Sequence, residues 1–225
     1  VKEKLYIVGF TLTVTAVFVL VVSAINVALA GQRERNRKVA RQSVILRLIG
    51  LRPRGERWSG ERVLRTFDEA VEPVTVPAEE GFDYTYWRLT DKADPTTDAG
   101  ADGGGERVVI PAAGQGFWGG IQGYLALDPS AGRIRDVAFP KHEETPGLGG
   151  RIGEEDFEAR FRDVPYTAVG DDGRRIDFVP PGTADAPNEV DSITGATGTS
   201  MAIERIVSEA IDLYLRVRGR QGADG

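Results

Sequence analysis

The chain has 225 residues, 41% of them hydrophobic and 28% charged, and a formal net charge of -6. It has no cysteine, which excludes disulfides, thiolate metal ligands and iron–sulfur ligation by this chain, and its single histidine, His142, cannot build a multi-histidine metal site. The acidic balance argues against nonspecific nucleic-acid binding, because the basic residues that do cluster lie beside an apolar run rather than on an aromatic-studded sheet.

Residues 1–4 read as a short tail. From Leu5 to Ala30 no residue is charged, and about 26 residues rising about 1.5 Å each exceed the ~30 Å of bilayer hydrocarbon. The segment 5–30 is therefore predicted to be a transmembrane helix in the lipid bilayer. A cleaved signal peptide is the competing reading, since Lys2 and Lys4 mimic a basic leader and Ala28-Leu29-Ala30 a cleavage site, but leader cores run only about 7 to 15 residues. Residues 31–57 form a basic juxtamembrane stalk. It is helical over 32–49 by the spacing of Val44, Ile45, Leu48 and Ile49 and is broken by Arg52-Pro53-Arg54-Gly55.

Residues 58–218 suffice for one well-buried soluble domain, and 219–225 read as a flexible tail. Ser59 is predicted to cap a helix that carries Val63, Leu64, Phe67 and Val71 until Pro73 ends it. Residues 82–89, 107–110, 121–127 and 133–139 read as strands, the last two joined through Asp128-Pro129-Ser130-Ala131-Gly132 into a hairpin. Residues 91–105 are rich in Gly and Asp and read as a solvated loop. A short helix over 154–162 buries Phe157 and Phe161, Asp171-Asp172-Gly173 is a second hairpin turn, and Pro180-Pro181-Gly182 opens an irregular approach to residue 191. Ile203, Ile206, Val207, Ala210, Ile211, Tyr214 and Leu215 then mark one buried stripe of a final helix. The expected fold is α+β: a mostly antiparallel twisted sheet with packed helices, tethered by a single N-terminal transmembrane helix.

Two stretches carry chemistry. Asp191-Ser192-Ile193-Thr194-Gly195-Ala196-Thr197 sets a hydroxyl beside two small residues at the start of the final helix. There the unpaired N–H groups and the dipole favour an anion. The competing reading is that Thr197 is an ordinary cap. Glu144-Thr145-Pro146-Gly147-Leu148-Gly149-Gly150 makes either a plain surface turn or a loop whose backbone can lie close to a flat ligand. Gly114-Gln115-Gly116-Phe117-Trp118-Gly119 spells a dinucleotide fingerprint, but the residues after it alternate like a strand where that fingerprint needs a helix. A threonine hydroxyl is a weak nucleophile and no base accompanies Thr197, so a separate enzyme has to load anything attached there.

Residues 191–197 resemble the Asp-x-x-(Ser/Thr)-Gly-Ala-(Thr/Ser) acceptor site of the FMN-binding domain family. With residues 142–150 and 114–127 in the same order, the chain is similar to the C subunits of Na+-translocating NADH:quinone oxidoreductases, more than to the G subunits of Rnf complexes. The resemblance implies FMN linked covalently through its phosphate to Thr197, with Ser192, Thr194, Gly195 and Ala196 around it. The loading enzyme would be a flavin transferase that uses FAD and Mg2+, with Asp191, Thr194, Gly195 and Ala196 as its recognition residues. Asp191 has a second reading, a turn residue bonding its own downstream backbone. The resemblance also lays Glu144, Thr145, Gly147, Leu148 and Gly149 against the isoalloxazine, Glu144 and Thr145 as hydrogen-bonding partners and Leu148 on its face. Trp118 either touches the flavin or packs in the core, and His142 is expected to be partly buried and hydrogen-bonded.

The implied role is an electron carrier that relays toward quinone among other membrane subunits, in the bacterial inner membrane with its domain on the extracytoplasmic side. Arg33, Arg35, Arg37, Lys38 and Arg41 taken alone would instead keep the domain in the cytoplasm. Alternative readings are an Rnf-type or self-standing flavinylated protein, or a cofactor-free membrane-tethered binding module in which Thr197 is only a cap. No metal site and no nucleic-acid partner is expected.

Overall fold

The computed structural model describes residues 2–77, 83–90, 106–167, 169–170 and 173–221. Contacts divide the chain into two units, Val1–Arg41 and Gln42–Gly225. Helix α1 (Lys2–Leu48) supplies the described part of the first. Along it, apolar side chains such as Phe18 (68% exposed) and Leu20 (69%) have no protein packed on them. Among the described residues this is the one helix long and apolar enough to cross a membrane. Thr11 and Thr13 donate their hydroxyls to the carbonyls four residues back, each at 2.9 Å, which satisfies these groups without water.

The second unit begins within the expected stalk, because Ile45, Leu46, Leu48 and Ile49 are buried in it. Helix α2 (Gly60–Ala70) opens as expected, with Ser59 Oγ accepting from the Arg62 N–H at 3.2 Å. It stops at Ala70, three residues before Pro73. Val71 instead starts strand β1 (Val71–Pro77), whose valines and threonine suit a pleated surface. Proline is tolerated there because β1 is an edge strand. The helix predicted to carry Val71 is corrected accordingly.

Strands β1, β2 (Asp83–Leu89), β3 (Val108–Gln115), β4 (Gly120–Asp128) and β5 (Arg133–His142) pair as antiparallel neighbours in chain order. Both β3 and β5 run on beyond residues 110 and 139, the ends expected from sequence, and so include Pro111 and Pro140. The β2–β3 ladder stops at Val109, so Pro111 has no donor to lose on that side, and Pro140 lies where the β4–β5 register shifts. Helix α3 (Glu155–Glu158) continues as a 3-10 turn to Phe161, burying Phe157 and Phe161. Asp171 and Asp172 of the predicted turn and the 91–105 loop lie outside the described residues. A parallel pair not foreseen from sequence, β6 (Asp177–Val179) with β7 (Glu189–Asp191), leads into α4 (Thr197–Gln221). The α4 stripe is buried from Ile203 to Tyr214, with Tyr214 edge-on to Tyr86 at 5.5 Å.

Candidate functional site

Ile121 pairs with Gly114 on one side and His142 on the other, so the β3–β4 turn and the loop leaving β5 emerge at one end of the sheet. The first turn of α4 meets them there. Glu144 is the junction. Its Oε1 accepts from the N–H groups of Phe117 (2.8 Å) and Trp118 (3.1 Å), and its Oε2 accepts the Thr199 hydroxyl at 2.7 Å. Sequence reading set this residue against a ring, whereas the structure places it 4% exposed, beneath the loop, with both oxygens engaged by the protein. Glycine is required around it: a Cβ on Gly116 would lie 2.3 Å from Glu144 Oε1, and one on Gly149 2.4 Å from Thr199 Oγ1.

Above Glu144 the loop is short and turned back on itself. The Thr145 carbonyl accepts from the N–H groups of Leu148 (3.2 Å) and Gly150 (2.9 Å), and Gly147 takes φ +75°, a conformation that disfavours any side chain. Thr145 and Leu148 are exposed. Leu148 reaches the turn before α4, its Cδ2 lying 3.5 Å from where a Cβ on Gly195 would sit. On the other flank Phe117 packs so closely on Gly198 that a Cβ there would come within 2.4 Å of the ring. Trp118 stands edge-on to Phe117 at 5.3 Å and is 67% exposed, which rules out core packing as its role. Phe117 (61%), Met201 (55%) and Leu148 (47%) are also exposed, so four large apolar side chains stand at the surface on the loops and helix turn that meet at the start of α4.

The turn before α4 is closed by a hydroxyl other than that of Thr197. Ser200 Oγ accepts from the Ile193 N–H (3.0 Å) and donates to the Ala196 carbonyl (3.1 Å), while Gly195 makes the bend at φ +76°. Ala196 is buried and Ser192 half-buried, whereas Thr194, Gly195 and Thr197 are exposed. Asp191 does not bond its downstream backbone. Its Oδ1 accepts from the N–H groups of Gly182 (2.7 Å), Thr183 (3.1 Å) and Ala184 (3.2 Å), tying the upstream loop to β7. Desolvation works against its charge, but these donors and nearby Arg160 outweigh that and hold its carboxyl below the ordinary range. Arg160 also donates to the carbonyls of Asp191 (2.7 Å) and Ser192 (3.0 Å). No spacing in the sequence links residues 160 and 191, so this contact could not be read there. His142 lies against Gly150 and Gly153, and its buried Nδ1 has no partner among the described residues, contrary to the hydrogen-bonded histidine expected.

Residues 116–212, which include all three of these loops, match the FMN-binding domain. That stretch of the chain is similar to the FMN-binding domain. The C subunit of the Na+-translocating NADH-quinone reductase of Pseudomonas aeruginosa is 29% identical over 88% of each chain. The G subunit of the proton-translocating ferredoxin:NAD+ oxidoreductase complex of Clostridium ljungdahlii is 32% identical over 46% of this chain and 51% of its own length. The crystal structure of the C subunit of a Na+-translocating NADH-quinone reductase from Parabacteroides distasonis superposes with a TM-score of 0.65 at 21% identity, covering 84% of this chain and 96% of that one, a likeness of fold.

Proposed function

We propose that this FMN-binding domain holds FMN covalently through its phosphate on Thr197, and passes electrons toward quinone as a subunit of a membrane Na+-translocating NADH:quinone oxidoreductase. The observation that carries the reading is the exposed Thr197 at the first turn of α4, with Leu148 and Phe117 beside the neighbouring Gly195 and Gly198 and with Trp118 and Met201 also exposed. A phosphodiester's single negative charge suits the helix start, and a flat aromatic ring suits the apolar side chains. Bound FMN would supply the redox chemistry. The chain's own part is positional. Gly195 and Ala196 leave room for the phosphate beside Ser192 and Thr194, Gly147 and Gly149 keep the loop backbone bare, and Thr145 and Leu148 face the ring.

With no base beside Thr197, loading falls to a flavin transferase using FAD and Mg2+, reading Asp191, Thr194, Gly195 and Ala196. The length and exposed apolar surface of α1 support an anchor in the bacterial inner membrane, and the domain belongs on the extracytoplasmic side with other membrane subunits. The test is in-gel fluorescence after denaturing electrophoresis. The parent and Thr197→Ser should give a fluorescent band and Thr197→Ala none; an unchanged band from Thr197→Ala would remove the assignment. The Clostridium ljungdahlii match favours a second reading, membership of an Rnf-type complex, which the identity of co-purifying subunits separates from the first.

A further inference from the structure

We propose that Glu144 is the positioning residue of this site: it fixes the Phe117–Trp118 pair and the first turn of α4 in one geometry, and its charge makes a flavin on Thr197 harder to reduce. The statement about charge rests on the reading of Thr197 given above, whereas the statement about position does not.

Position is set at the backbone. Both N–H groups of the aromatic pair converge on one carboxylate oxygen, which turns the peptide inward and leaves the rings outward, 61% and 67% exposed. The pair sits between Gly116 and Gly119, a stretch with little conformational preference of its own. The other carboxylate oxygen takes the hydroxyl of Thr199, two residues beyond Thr197. One side chain therefore joins the aromatic platform to the attachment turn, and the missing Cβ atoms of Gly116 and Gly149 let the backbone close on its carboxylate.

Glu144 differs in its partners from other buried carboxylates of the domain. Buried Asp128, Glu158 and Glu204 each face an arginine. Among the described residues the donors on Glu144 are two amides and a hydroxyl, all neutral. A buried carboxylate without a cation is costly, and its field is not cancelled locally. Lying beneath the attachment turn, that field opposes the arrival of electrons on a neighbouring group.

Glutamine separates the two effects, since its carbonyl can accept from both amides and its NH2 can donate to Thr199 while the charge is gone. Position is read without flavin, by hydrogen exchange of the Phe117 and Trp118 amides in a Thr197→Ala background. Glu144→Ala should speed both amides by about tenfold or more, the loss of charge-assisted bonds, and Glu144→Gln should stay near the parent. Thr199→Val, which removes one donor, should also speed them and serves if Glu144→Ala does not fold. Charge is read in the flavin-loaded protein, where Glu144→Gln should move the midpoint potential to more positive values. Unchanged exchange in Glu144→Ala, or in Thr199→Val in its place, overturns the positional role; an unchanged or more negative potential in Glu144→Gln overturns the electrostatic one. A parent chain without covalent flavin would sink the Thr197 assignment and the charge statement with it, and the exchange experiment would still decide position.

Discussion

Replacing Gly149 by alanine isolates the packing at the junction. The new Cβ would fall 2.4 Å from Thr199 Oγ1, 2.7 Å from Glu144 Oε2 and 3.2 Å from Glu144 Cβ, so the buried pair has to separate. Losing a hydrogen bond to a charged acceptor costs about 1.5–3 kcal/mol, and overpacking a closed site about 1–3 kcal/mol. Since partial relaxation makes these overlap, about 3 kcal/mol is expected, which for a domain of this size lowers the thermal midpoint by about 6–12 °C. Gly147→Ala is the matched control. It meets nothing within 4 Å, so it bears only the strain of φ +75°, about 1 kcal/mol or about 2–4 °C. Thermal unfolding of flavin-free protein followed by circular dichroism measures both. If Gly149→Ala unfolds within about 2 °C of the parent, or if Gly147→Ala is the more damaging change, the steric reasoning fails.

Leu148→Ala and Thr145→Ala should keep the covalent flavin and alter its absorption spectrum or midpoint potential; spectra and potentials identical to the parent would refute ring contact by this loop. Burial opposes ionisation of Asp128, but the Ser130 hydroxyl, the Ala131 N–H and Arg135 more than offset this and hold its carboxyl at about 2. A depressed carboxylate stabilises the fold above its unfolded value near 4 and loses that contribution as pH falls toward 2. Asp128→Asn should therefore destabilise by about 1–2 kcal/mol at pH 7 and by much less near pH 2, and an equal loss at both would contradict it. Protease added to intact spheroplasts should degrade the second unit, and full protection while an external marker is cleaved would reverse the proposed topology.

Much of this architecture was legible because it depends on local pattern. The uncharged run from Leu5, the Ser59 cap, the hairpin at residues 128–132 and the α4 stripe each follow from residues close in sequence. Proline misled the reading. Pro73 reads as the end of a helix, and the strands expected at 107–110 and 133–139 stop short of Pro111 and Pro140, yet all three prolines lie inside strands, on an edge or where the ladder stops or shifts, which depends on neighbouring strands. At the site, the glycines and Thr197 announced a loop and a helix start. The inward turn of Glu144 and the grip of Arg160 on residue 191 could not be seen, because their partners lie 55 and 31 residues away.

The sheet is built from neighbours in the chain, whereas the latch between Glu144 and Thr199 closes over 55 residues. Local hairpins form early and distant closures late, since loop entropy has to be overcome before the contact rewards it. The two parts can therefore separate in time and under stress. A chain that has released only this latch would keep the circular dichroism of a folded protein yet no longer hold its aromatic platform against the helix start. Ability to take up a cofactor would then be a stricter measure of completed folding than secondary structure.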